Sequence, residues 1–501
     1  MKGKLKVFAL LLAATMSVGM FTGCKGNSTG SGSDSGDGKG EVVKLTWYHW
    51  GNQPNQPDAV IKALNEKSAK DIGVEIDFKW ATTDAAAVQQ VYASGEAYDI
   101  GFACNWFADY VGSSQKKFFL DLTDLLPKEA PTLYKTLPEL LWEGVKVDGR
   151  IYGIPVWKDT AATQYWMIND DFLKGADCEA EFKACDSTVA SVTPLLEKIK
   201  AAHDANPDAL PWPDGLSAAV NFNKSGLNGI DTGWDQLHGA IWVGVRMGDT
   251  TNTVKSFLDD EQFIADLKTL KDWADRGLSN ADAMTMENEP KLLVVGSAQG
   301  WEGAEISAWG KDKPYTVSIQ KKCGPYLTSG YIQGAVNCIG ANSKHPKEAL
   351  KYMEYINTNK EYRNMLAYGI QDVNWKLLDD GTVEYLTADD WAPGLFAQAS
   401  WMEMYVPKGA PANMYKNICE MSNNAEGSPL IGFVPVTENV KTQATACASV
   451  ITEYQNQLKT GHVDDVDATV AELLKKLEAA GYREVIAEYQ KQADAFLAAK
   501  K

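Results

Sequence analysis

Long apolar runs, clustered cations, histidines and closely spaced cysteine pairs are scarce in this chain, and each shortage removes a class of function. After residue 20 no apolar stretch approaches the roughly 20 residues that a bilayer-spanning helix requires, and runs such as 292–295 are strand-sized. The mature chain is therefore not itself a channel. No G-x-x-x-x-G-K-[ST] loop occurs, so ATP hydrolysis would belong to a separate chain. The five histidines (His49, His203, His238, His345 and His462) lie far apart and no C-x-x-C pair exists. A zinc site has no ligand spacing to build on, and general bases for nucleophilic catalysis are few. Lysine and arginine total 48 against 66 aspartates and glutamates, a formal charge of −18, and the lysines are scattered. A surface this acidic repels phosphate backbones, so nucleic acid is not an expected partner. No internal repeat is found.

What is present starts at the N-terminus. Three lysines within the first six residues precede an apolar run over 7–20, then Phe21-Thr22-Gly23-Cys24, then a tail over 25–40 made almost wholly of Gly, Ser, Asp and Lys. A basic start, a short apolar core and small residues before a cysteine describe a secretory signal over 1–23 that is cut off. The stretch ending at Cys24 resembles the lipobox of bacterial lipoproteins. That resemblance implies that Cys24 carries a thioether-linked, palmitate-type lipid and that 24–40 is a flexible tether, since a Gly/Ser tract buries no apolar surface. The expected location is the outer face of the cell membrane, lipid-anchored. The alternative is an ordinary cleaved signal followed by a coincidental cysteine. Loss of Lys2, Lys4 and Lys6 takes the mature chain to about −21. Seven cysteines remain: Cys104, Cys178, Cys185, Cys323, Cys338, Cys419 and Cys447. An odd number spread over a large chain is not a disulfide framework, and most read as small buried residues, although Cys178 and Cys185 are near enough to pair locally.

Hydrophobic residues make up 45% and charged residues 23%, an ordinary soluble composition, and residues 41–501 suffice for two or three globular units. Pattern predicts strands over 43–50, 73–80 and 97–102 with helices over 58–70 and 84–94 between them. This β-α-β-α-β alternation predicts an open α/β sheet with ligands at the carboxyl ends of its strands. A short capped helix is expected over 119–126 and a hairpin over 145–156 turning at Asp148-Gly149. A strand over 164–168 follows. Further helices are expected over 193–206, 260–276, 346–359, 437–458 and 467–499, the last broken near Gly481.

Several segments resemble the extracellular solute-binding proteins of ABC importers, in the maltose-binding-protein-like group. They are 45–70, Ala93-Ser94-Gly95-Glu96-Ala97-Tyr98-Asp99-Ile100, Phe119-Leu120-Asp121-Leu122 followed by Val147-Asp148-Gly149-Arg150-Ile151-Tyr152-Gly153-Ile154-Pro155, and Ser343-Lys344-His345-Pro346-Lys347-Glu348-Ala349. Four pieces in the family's order carry more weight than any one alone. Towards the C-terminus, Tyr368-Gly369-Ile370 with Asn374-Trp375, Gly432-Phe433-Val434-Pro435-Val436 and Ala480-Gly481-Tyr482 resemble a lipid-anchored Gram-positive branch tied to complex-carbohydrate uptake. The resemblance spans 41–501. It implies a two-lobed, type II periplasmic-binding-protein-like α/β fold, monomeric and without catalysis or cofactor, that binds an oligosaccharide between hinged lobes and passes it to membrane permeases. The lobes are expected at 41–157 plus 313–372 and at 158–312 plus 373–501. Some relatives carry an Asp/Asn-rich calcium loop; the stretch 206–211 lacks alternating oxygen ligands, and no metal is expected.

Sixteen tryptophans are the informative residue type, because pyranose rings offer flat C–H faces to aromatic side chains while Asp, Asn and Gln take the hydroxyls. His49 and Trp50 follow the first predicted strand, Asn105 and Trp106 the third, Trp157 the first crossing, Trp301 the strand ahead of Gly300, and Trp375 the second return. Each is a candidate ligand contact, with core filler as the competing reading. Trp242 and Trp401 fit either the second lobe's core or the cleft wall. The resemblance adds Gln333, where the family's backbone passes the sugar, and Asp84, which opens a helix facing the cleft and otherwise reads as a plain N-cap. Trp80, Trp142, Trp273 and Trp391 read as core. The competing functions are a secreted carbohydrate-active enzyme using paired carboxylates, and the same fold binding a peptide or other polar solute.

Overall fold

A computed structural model describes residues 41–81, 84–210, 233–279, 281, 283–285, 294–309, 314–387 and 390–500. The signal, the tether and Cys24 lie outside the described residues. Among those described, no helix is long and apolar enough to cross a membrane.

The N-terminal alternation folds as its pattern predicts. Strand Val43–Trp50 alternates buried and partly exposed residues, and its parallel partner Val74–Ala81 matches it from Val43 opposite Val74 to Trp50 opposite Ala81. Helix Pro57–Ile72 joins them, with proline in its first turn and Gly73 closing it at φ +71°. Helix Ala85–Ser94, capped by the Asp84 carboxylate, leads to the buried strand Ile100–Ala103, parallel to the first strand through Trp47 opposite Ile100. Strand Val336–Ile339 then runs antiparallel to Ile100–Ala103, and Gly153–Pro155 antiparallel to it in turn. The result is a five-stranded sheet.

A four-stranded sheet links this first layer to the rest. In it strand Ala162–Asn169 lies between Val295–Gly300 and Val317–Leu327, and the short strand Glu426–Gly427 adds to Val317–Leu327. Apolar packing divides into two large cores. Residues between Leu45 and Ala161 pack with residues between Leu327 and Cys419, and residues between Trp166 and Val295 pack with residues between Leu430 and Ala493. Strand Ala162–Asn169 runs from the first core to the second, Val317–Leu327 runs beside it from a small separate cluster of Tyr315 and Val317 to the first core, and the chain passes between the cores again near 421–433.

Three expectations need correction. The segment 119–126 is not a helix: Leu120 N–H bonds Ile339 O, Phe119 bridges Gly340, and the helical turn is Leu126–Glu129. The expected return at 372/373 does not coincide with the packing, because Trp375, Val383, Trp391 and Trp401 belong to the first core. Cys178 and Cys185 are not joined to one another, their Sγ atoms being directed to Leu173 O (3.5 Å) and Glu181 O (3.4 Å). The C-terminal helices are Val466–Ala479 and Tyr482–Ala499, broken at Gly481 with φ +89°.

Candidate functional site

Register sets the site. Trp50 ends the first strand where its neighbour Ile100–Ala103 also ends, and Val336 faces both Ala103 and Pro155, so residues 50, 105–106, 330–334 and 157–159 share one edge of the sheet. This is the edge at the carboxyl ends of the parallel strands, where open α/β sheets bind ligands. Asn105 donates Nδ2 to Gly330 O (2.9 Å) and Trp106 donates Nε1 to Gly334 O (2.9 Å), which fixes both on the rim. Trp106 is 54% exposed, a large apolar ring held out by a hydrogen bond. Trp50, half-buried, stands edge-on to it at 6.0 Å, and Phe396 packs on both, at 4.6 Å from Trp50 and 6.0 Å from Trp106.

A second aromatic patch forms beside the crossing. Trp301 follows strand Val295–Gly300 and is half-buried, its Nε1 bonded to Ser307. Its ring meets Trp401 edge-on at 5.5 Å, and Trp401 meets Tyr415 at 5.3 Å. Trp157 is buried, donating Nε1 to Cys419 O, and its carbonyl receives the backbone N–H of Trp401 at 3.0 Å. It supports the patch from beneath.

Phe396 and Trp401 lie on one irregular strap, residues 391–405, that buried side chains of two helices and a strand hold in place. Asn337 of Val336–Ile339 donates to the carbonyls of Ala397 and Gln398. Arg363 of helix Lys360–Tyr368, fully buried, donates Nε to Ser400 O, Nη1 to Gln398 Oε1 and Nη2 to Ala399 O. Burial pulls its guanidinium down to about 10. Asn357 accepts Ser400 N–H, and Asn364 brackets Glu403 and Tyr405. A segment whose regular structure is limited to the short 3-10 turn Leu395–Ala397 needs such side chains to satisfy its buried backbone.

Several expected contacts are instead structural. His49 is fully buried, Nδ1 toward Trp50 O (2.7 Å), and burial lowers its imidazole to about 4. Trp375 is 3% exposed, its Nε1 on Gly369 O, packed by Tyr368 and Tyr405. Trp242 is 1% exposed in the second core against Phe263, with φ +55°, and Tyr482 Oη donates to its carbonyl. Gln333 is buried and gives its amide to Gly144 O. Asp84 is exposed and accepts Ala86 and Ala87 N–H, the plain cap. Of the core readings, Trp142, Trp273 and Trp391 are buried, while Trp80 is half-buried on Phe78.

Sequence pattern missed Phe396, Tyr415, Lys158 and Asp159. Phe396 lies in a strap without periodicity, and Tyr415 in a helix, Met414–Glu420, too short for its period to stand out. The charged pair carried one signal, its position directly after Trp157 at the crossing. Three further atoms stand at the site: Trp50 Nε1, Trp401 Nε1 and Thr160 Oγ1 are buried without a hydrogen-bond partner among the described residues. An incoming polar group or a water would satisfy them.

Three comparisons fit this geometry. A "Carbohydrate ABC transporter substrate-binding protein" of Streptococcus pneumoniae serotype 4 is 28% identical over 519 residues, spanning 99% of each chain. The crystal structure of the N-glycan transport solute binding protein NgtS from Streptococcus pneumoniae superposes with TM-score 0.80 at 24% identity, over 92% of this chain and 100% of that one. The same protein in complex with Man5GlcNAc gives TM-score 0.72 at 24% identity, over 92% and 99%. Residues 429–498 match the family described as "Domain of unknown function (DUF3502)". With a sheet order, a crossing and a full-length relative in agreement, the chain has the type II fold of solute-binding proteins and is similar over its whole length to a carbohydrate ABC transporter substrate-binding protein.

Proposed function

We propose that the protein is the capture subunit of a carbohydrate ABC importer, holding an oligosaccharide between two lobes and delivering it uncleaved to membrane permeases. The carrying observation is Trp106, more than half exposed at the strand ends and ringed by Trp50 and Phe396. Grouped with Trp50 and Phe396 at the strand ends, it offers an aromatic surface of the kind that suits the C–H faces of sugars. The names of its relatives support the same class of ligand. The lobes follow the two cores, roughly 42–161 with 327–425 and 162–320 with 430–499. The mature chain works as a monomer facing the cell exterior, tethered through a lipid on Cys24.

The test uses protein begun at residue 41, screened on a glycan array and then by calorimetry with product analysis. Saturable binding without new reducing ends is expected. Turnover would make it an enzyme, and binding only to peptides would move the fold to another solute. For the anchor, Cys24→Ala should release the protein from membranes into the medium and abolish labelling by a fatty-acid probe; membrane retention of the variant would reject the lipid.

A further inference from the structure

We infer that Lys158 and Asp159 form the specificity-determining polar pair of the site, reading hydroxyls beside the Trp301–Trp401 patch and selecting neutral over carboxylate-bearing sugars. This rests on the carbohydrate-capture reading. The pair sits on the sheet edge described above, immediately after Trp157, and its two side chains are each only 12% exposed while bonded to one another. Lys158 Nζ lies 6.0 Å from the Trp401 ring centre, so the pair borders the Trp301–Trp401 patch. Asp159 is held from its other side by Gln299, whose Nε2 donates to Asp159 O (3.0 Å) and Oδ2 (3.1 Å).

Thr160 Oγ1, in a residue 1% exposed, and Trp401 Nε1, in a residue 6% exposed, flank the pair in sequence or in space with no partner. Two unmet polar atoms beside a braced ion pair mark a place for a polar ligand rather than a packing contact. With one ammonium hydrogen given to Asp159, the pair presents two remaining cationic donors and an anionic acceptor with no net charge. Hydroxyls, which both donate and accept, can use both halves. A uronate can use Lys158 only by displacing Asp159, and otherwise meets a like charge in a poorly hydrated site.

The experiment puts wild type, Asp159→Asn and the double variant Lys158→Gln/Asp159→Asn on one array of neutral and uronic-acid-containing oligosaccharides, with Kd measured for the best neutral and best acidic member. Wild type should favour the neutral member. Asp159→Asn frees the ammonium and should shift the acidic-to-neutral affinity ratio at least tenfold toward the acidic one, an effect that 0.5 M salt reduces. The double variant, with no charge left, should lose that shift. A ratio unchanged in Asp159→Asn, or a wild type that already prefers uronates, overturns the pair's role and leaves carbohydrate capture standing. A wild type that binds no sugar on the array overturns both.

Discussion

Two tryptophans that read alike in the sequence behave differently in the structure, and the difference decides what each substitution does. Trp106→Ala removes a ring that is 54% exposed without ligand, so melting should barely move while sugar affinity falls by about 1–3 kcal/mol, measurable by calorimetry. Trp375→Ala empties a site 3% exposed in the first core and should cost roughly 3–5 kcal/mol of stability in urea unfolding, with affinity of the folded fraction unchanged. Residue type marked both as candidates because indole suits either role. Position in the chain could not separate them: Trp375 is covered by Tyr368 and Tyr405, and nothing local announces that cover. His49 shows the same limit, for its place at a strand end suggested the rim while its ring turns inward against Trp47 and Trp80.

The strap at 391–405 carries Phe396 to one aromatic patch and Trp401 to the other, so its order is part of the site's order. Arg363→Leu leaves the carbonyls of Ala399 and Ser400 and the Gln398 side chain without their donor, and should destabilise by about 3 kcal/mol or more. Arg363→Lys should recover little of that, because a single ammonium cannot reach three acceptors laid out for a planar fork. Denaturant melts of both variants, alongside sugar titration of the folded fraction, check the expectation; full rescue by lysine would refute it. Regular elements were the legible part of the fold. The strands at 43–50 and the helices at 193–205, 261–275 and 346–358 advertise themselves by period. A strap held by scattered Asn, Gln and Arg has no period to read, and 119–126 misled because its apolar residues serve a sheet edge.

Across the whole molecule, two buried groups, one in each core, set opposite pH dependences. Burial lowers His49 to about 4, so between pH 6.5 and 4 the unfolded chain takes up the proton first and stability falls as pH falls. Burial raises Asp235 to about 6, the Ser428 hydroxyl bond opposing it, so its contribution is full below about 4 and is lost as pH rises through 6. The two terms oppose each other over the same range. Asp235→Asn should therefore make stability climb more steeply from pH 4 to 6 than in the parent, by up to about 3 kcal/mol in urea unfolding across that range; parallel curves would deny the shift. The two-lobed plan was legible from ordered motifs, yet the last return was misplaced, since only packing reveals that 373–425 goes back to the first core. That late return also means that, among the described residues, three paired lengths of chain join the halves. Such a ladder resists sliding and yields only to torsion, and the register shifts between Lys321 and Tyr326 give it slack at mid-span. In the proposed capture cycle, closing on cargo would twist this connection like a spring, and its stiffness would govern how readily that cargo is let go.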